Sequence, residues 1–167
     1  HMPKNILILG VAEGFGASLI APGHVTHTAN KKIRLGSISQ ETGGKKLGNI
    51  VSAWRSGGLK TELYENIEQL IWEKLLCNVT VSGPCSIFGC NVKELLNNKE
   101  YWEFALKCMQ EAYSVGLAKG IPFSFNDPIE YVTDFAKRVG SAKPSMLQDF
   151  ETKKKTEINF INGAIPP

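Results

Sequence analysis

Lys74, Asn78 and Ser82 stand at i, i+4 and i+8 in the run IEQLIWEKLLCNVTVSG, so a single α-helix would carry them along one side. An ammonium in such a line can polarise a carbonyl and then protonate the alkoxide left by an attacking nucleophile or hydride. A carboxamide and a hydroxyl on the following turns can orient a small polar substrate by hydrogen bonds. The setting sharpens the reading. Ile67, Leu70, Ile71, Lys74 and Asn78 follow i, i+3, i+4, i+7, i+11, the spacing of an inward-packed stripe. A lone buried charge is costly, so Lys74 must reach water, meet an acid or serve chemistry. The bland reading is a lysine at the helix edge, its stem packed and its head in solvent.

A second polar set lies near the other end of the chain: Ser145, Asp149, Lys153, Thr156 and Glu157. Each has an ordinary explanation. Ser145, with Gln148 three residues on, reads as a capping box whose serine contributes about 1 kcal/mol. Asp149 and Lys153 read as an i, i+4 ion pair, and Glu157 follows Lys153, Lys154 and Lys155 on what is equally well a solvated face.

The elements that must hold these residues are mostly helical. The spacing predicts a helix over 66–80, broken by Ser82-Gly83-Pro84, and a short one from Val92 with Leu95 and Leu96. A longer helix over 100–119 stops at Gly120, before Ile121-Pro122. Asp127-Pro128 supplies an N-cap and N1 proline for a helix running to Val139. The last helix starts at Ser145 and carries Leu147, Phe150, Ile158, Ile161 and Ile165 on one side.

Upstream, Asn5 to Gly10 reads as a buried strand leading into GVAEGFGAS. Gly10, Gly14 and Gly16 make GxxxGxG rather than the dinucleotide-binding GxGxxG, and Pro22-Gly23 follows where that motif needs a helix. The fingerprint is rejected. Residues 24–38 suggest a β-hairpin turning at Ala29-Asn30-Lys31-Lys32. Residues 46–55 suggest a short helix on Leu47, Ile50, Val51 and Trp54, and Ser56-Gly57-Gly58 marks the best domain boundary.

Composition excludes several classes. The 167 residues carry a net charge of +3, with lysines scattered and acids beside the one dense run, which argues against a nucleic-acid partner. No stretch approaches the roughly 20 apolar residues of a membrane span. Cys77, Cys85, Cys90 and Cys108 form no CxxC pair, and His24 and His27 have no cysteine or carboxylate beside them. No metal site is expected, and a reduced, cytoplasmic protein is. His1-Met2 looks like the scar of a cloning tag, and the chain is expected to be a fragment.

Taken together, IWEKLLCNVTVSGPCSIFGC, PSMLQDFETKKKTEINFING and ILGV…GAS…APGHVTHT are similar to ketopantoate reductase (2-dehydropantoate 2-reductase). The resemblance covers nearly the whole chain and starts at the end of that family's cofactor domain. It implies reduction of the keto group of 2-dehydropantoate to pantoate by NADPH, with the NADP cofactor bound mainly by a missing N-terminal domain, on the way to pantothenate and coenzyme A. It further implies Lys74 as general acid, Asn78 and Ser145 as substrate-binding residues, Glu157 near the cofactor ribose and the lysine, and Ala17 approaching the cofactor from the domain edge. Where relatives commonly place a second asparagine, the chain has Ser82, assigned to the substrate. A further family asparagine aligns poorly, with Asn91 nearest.

The expected fold is thus mainly α. Residues 1–58 would be a terminal β segment of a truncated Rossmann-type cofactor domain. Residues 59–167 would be a helical substrate domain of the 6-phosphogluconate-dehydrogenase-like type, truncated at its end. A homodimer is possible. The rival functions are reduction of another 2-oxo acid or an imine, and a non-catalytic helical dimerisation module.

Overall fold

The computed structural model describes residues 8–37 and 44–165. The chain divides into two compact units, His1–Ile71 and Trp72–Pro167.

The first unit is a three-stranded sheet with one helix. β1 (Ile8–Ala21) and β2 (His24–Ser37) pair antiparallel along their length, and β3 (Thr61–Leu63) adds to β2 in parallel. The turn joining β1 to β2 is Pro22-Gly23, where Gly23 takes a φ of 76° that a side chain would oppose. Ala29-Asn30-Lys31-Lys32, expected to turn, lies inside β2 instead. Gly10, Gly14 and Gly16, whose spacing does not fit a dinucleotide-binding loop, fall within β1, whose register shifts between Gly16 and Ala17 and again between Leu19 and Ala21. α1 (Gly44–Ser56) packs Leu47 and Val51 against Leu35. Trp54, expected on that buried stripe, is exposed.

The division falls later than residue 58 for a packing reason. β3 hydrogen-bonds to β2, and the first turn of α2 (Ile67–Phe88) buries Ile67 and Leu70 against Val11 and Tyr64. Gly36 permits this closeness, since a Cβ there would lie 2.4 Å from that of Ile67.

The second unit is helical. α2 runs unbroken through Ser82-Gly83-Pro84, where the sequence predicts a break. From Leu76 to Cys85 every residue except Asn78 is buried, so the helix is enclosed on all sides and lacks the one-sided stripe expected of it. Pro84 brings no N–H for the Thr80 carbonyl, but burial by neighbouring helices outweighs that loss. α3 (Val92–Asn97), α4 (Lys99–Ala118) and α5 (Pro128–Val139) begin close to where the caps predict. Their cores join Val81, Cys85, Val92, Leu95, Ala105, Ala136 and Leu147 in one cluster and Leu76, Val79, Met109, Ala112 and Val132 in another.

The expected long terminal helix is short. α6 spans Ser145–Glu151, and Lys153, at φ 55°, turns the chain out of it. Two 3-10 turns follow, Ile158–Phe160 and Asn162–Ala164. Ile161 and Ile165 still reach the core, whereas Phe150 and Ile158 are exposed. Pro144 is the N-cap of α6 without a side-chain bond, so the Ser145–Gln148 capping box does not form; Gln148 donates to the Lys143 carbonyl instead. Glu151 pairs with Lys143 at 2.6 Å, and the Asp149–Lys153 pair is absent among the described residues.

Candidate active site

α2 presents the expected polar line, with a gradient of burial along it. Lys74 is exposed, Asn78 half-buried and Ser82 buried at 5% exposure. Lys74 therefore does not lie in an inward stripe. The buried ionisable neighbour is Glu73, 4% exposed, whose carboxylate accepts the N–H of Ser124 at 2.8 Å. Sequence reading passed over Glu73 because the amphipathic template put the next residue inside.

The hydroxyls and carboxamide of α2 divide into two groups. Thr80 donates back to the Leu76 carbonyl at 2.6 Å and Ser86 to the Ser82 carbonyl at 2.8 Å, the usual resting state of a helical hydroxyl. Asn78 and Ser82 make no side-chain hydrogen bond among the described residues. Neither is among the polar side-chain atoms buried without a partner, of which Asn162 Oδ1 is the only one among the described residues, so both keep access to solvent.

The C-terminal segment is tied to the same helix. Asn162 donates its side-chain N–H to the Val79 carbonyl at 3.0 Å. Glu157, the N-cap residue of the first 3-10 turn, is exposed and forms no ion pair among the described residues, Lys74 included. Ser145 is exposed at the first position of α6. Ala17 belongs to the first unit, exposed on β1 opposite His27.

Asn91 has another occupation. Its side chain accepts the Glu94 N–H at 3.0 Å while its own N–H donates to the Glu94 carboxylate at 2.9 Å, a complete capping box for α3. The cysteines are unpaired, and burial pushes the Cys77 and Cys85 thiols up to about 12. Among the described residues no group of three or more His, Cys, Asp and Glu side chains could hold a metal ion, and no helix is long and apolar enough to cross a membrane.

A β segment is thus followed by a helical unit whose long helix α2 carries the lysine, the asparagine and the serine in line. The family described as "Ketopantoate reductase PanE/ApbA C terminal" matches residues 66–166, and the chain belongs to it. Over 160 residues it is 31% identical to the 2-dehydropantoate 2-reductase of Archaeoglobus fulgidus, covering 95% of this chain and 52% of that protein. The crystal structure of 2-dehydropantoate 2-reductase from Methylococcus capsulatus superposes with a TM-score of 0.81 at 27% identity, covering 98% of this chain and 51% of that one. D-mandelate dehydrogenase, in a ternary structure with NADH and anilino(oxo)acetate, shares the fold with a TM-score of 0.77 at 24% identity, over 90% of this chain and 50% of that one. The chain spans about half the length of the curated relatives it matches.

Proposed function

We propose that the chain supplies the proton donor and the substrate-orienting groups of an NADP-dependent reductase that converts 2-dehydropantoate to pantoate. The observation that carries this is the contrast along α2: Thr80 and Ser86 return their hydroxyls to the helix, while Asn78 and Ser82, in line with Lys74, do not.

A nicotinamide cofactor, when bound, supplies the hydride. The described residues suit its edge better than its phosphates, because the glycines at 10, 14 and 16 lie along a strand and open no helix. Glu157 offers an exposed carboxylate to ribose hydroxyls, and Ala17, at a strand irregularity, offers close approach without bulk. Phosphate contacts fall to residues elsewhere in the full-length protein.

Lys74 stabilises the negative charge that develops on the keto oxygen as its carbon is reduced, and transfers a proton to that oxygen from Nζ. Solvent contact lets the amine regain the proton afterwards. Asn78 and Ser82 hold the substrate's hydroxyl and keto oxygens along the helix, and Ser145 receives its carboxylate. Glu157 keeps the Lys74 ammonium charged and aimed when substrate and cofactor are bound. A cytoplasmic homodimer completes the reading.

The test is Lys74→Ala in the full-length protein. With 2-dehydropantoate and NADPH, kcat falls about 100-fold or more, the scale of a general acid. An unchanged kcat removes Lys74 from the mechanism. Ser82 supports a second reading, a related reductase for another 2-oxo acid or an imine, since a hydroxyl reaches less far than the carboxamide common at this position in relatives. A panel of 2-oxo acids and imines, ranked by kcat/KM, separates the two.

A further inference from the structure

Asn162 carries a buried polar atom that nothing above uses. Its Nδ2 donates to the Val79 carbonyl at 3.0 Å, while its Oδ1 is buried with no hydrogen-bond partner among the described residues. The same side chain occupies the space that residue 83 leaves by being glycine: a Cβ there would lie 2.7 Å from Oδ1 and 3.0 Å from Cγ. An apolar side chain could fill that notch without leaving an acceptor unpaired, an omission that is normally costly. What the carboxamide adds is registry. A directional bond to one carbonyl stops the segment from sliding along α2, whereas the apolar contacts of Ile161 and Ile165 would permit it.

The placement gives that registry a use. Val79 directly follows Asn78, and Gly83 directly follows Ser82. At about 100° per residue, Val79 and Gly83 form the helix line beside the Lys74–Asn78–Ser82 line. Asn162 is joined to Glu157 by a short hydrogen-bonded coil, in which Phe160 and Ile161 donate to the Glu157 carbonyl at 2.9 and 3.1 Å. Fixing Asn162 on α2 therefore fixes the backbone of Glu157 relative to the polar line.

We propose that Asn162 is a positioning residue, which docks into the notch at Gly83 and thereby sets where Glu157 stands relative to Lys74, Asn78 and Ser82. The proposal rests on the reductase reading for the role of Glu157.

The test is a double-mutant cycle in the full-length protein, with kcat and KM measured for Asn162→Ala, Glu157→Gln and the pair. Asn162→Ala is expected to lower kcat at least tenfold, and the pair to fall within about threefold of Glu157→Gln alone, because both losses run through one carboxylate. Multiplying losses would overturn the proposal, as would a Glu157→Gln enzyme of undiminished kcat. Gly83→Ala leaves the carboxamide intact but displaced, and it serves if Asn162→Ala misfolds. It should reproduce the loss in kcat, and full activity would count against the proposal. If the wild-type protein reduces no 2-oxo acid, the reductase reading fails separately. Hydrogen exchange then still decides the docking, since Asn162→Ala must speed exchange of the Phe160 and Ile161 amides, and unchanged exchange overturns it.

Discussion

Glu73 and Ser124 are joined by a hydrogen bond of 2.8 Å between a carboxylate that is 4% exposed and a backbone N–H fifty-one residues further along. The bond fastens the loop between α4 and α5 to the central helix, one residue before the exposed Lys74. Adjacent opposite charges thus serve different ends. The acid is turned inward to hold the fold, and the base lies on the exposed side of the helix.

Removing that acid should loosen the loop. Glu73→Ala is expected to destabilise the protein by about 2 kcal/mol, the scale of a hydrogen bond to a charged group whose partner is left unsatisfied. Glu73→Gln keeps an acceptor oxygen and should lose less. Thermal unfolding of the two variants checks the order, and an unchanged melting temperature in Glu73→Ala would show that Ser124 finds water at no loss.

In the proposed reductase, Ser82 would set the reach of the polar line. Ser82→Asn in the full-length protein should alter KM for 2-dehydropantoate more than kcat, because the change touches orientation and leaves the proton donor in place. A shift of about threefold or more in relative kcat/KM across a panel of 2-oxo acids is expected, the scale of one gained or lost neutral hydrogen bond. An unaltered ranking would take Ser82 out of substrate recognition.

Two glycines give opposite outcomes on substitution. Gly36→Ala would set its methyl 2.4 Å from Ile67 Cβ and 2.6 Å from the Tyr64 carbonyl, neither of which is a flexible side-chain end. Overpacking of this kind costs about 1–3 kcal/mol or more. Gly48→Ala, within α1 and with nothing within 4 Å of the added carbon, should be neutral or stabilise by up to about 1 kcal/mol. Melting temperatures of the pair test the packing of α2 against the sheet, and a harmless Gly36→Ala would contradict it.

The buried thiols predict an alkaline limit. Cys77 and Cys85 are held up to about 12 from an ordinary value of 9.0, chiefly by burial. Above pH 9 the unfolded chain releases these protons and the folded chain keeps them, so stability falls as pH rises towards 12. At pH 8 neither thiol should be alkylated by iodoacetamide in the folded protein, while both react on unfolding. Rapid native labelling of Cys85 would show that it is not enclosed.

Much of the helical unit was legible locally. Asp127-Pro128 starts α5 with its carboxylate accepting the Ile129 and Glu130 N–H groups at 2.8 and 3.0 Å, because a cap needs only residues that are neighbours in sequence. Gly120, at φ 74°, stops α4 for the same reason, while the N-cap at Asn98 is a finding of the structure. The alignment of Lys74, Asn78 and Ser82 likewise follows from helical repeat alone.

What one stretch of chain cannot encode by itself is which sides of a helix other elements will cover. The stripe template put Lys74 inside because it assumed that α2 has one wet face, yet helices around it bury every residue from Thr80 to Cys85 and leave Lys74 outside. That enclosure carries the helix through Gly83-Pro84, where local propensity favours an end. It also gives Asn162 a carbonyl to bind across eighty-three residues, so the terminal segment follows α2 as 3-10 turns and does not extend α6. By itself, then, the sequence determined the residue types, their spacing and the caps, all of which act within a few residues. Only the tertiary structure decided burial and the anchoring of the last segment, since both depend on which distant surfaces exclude water.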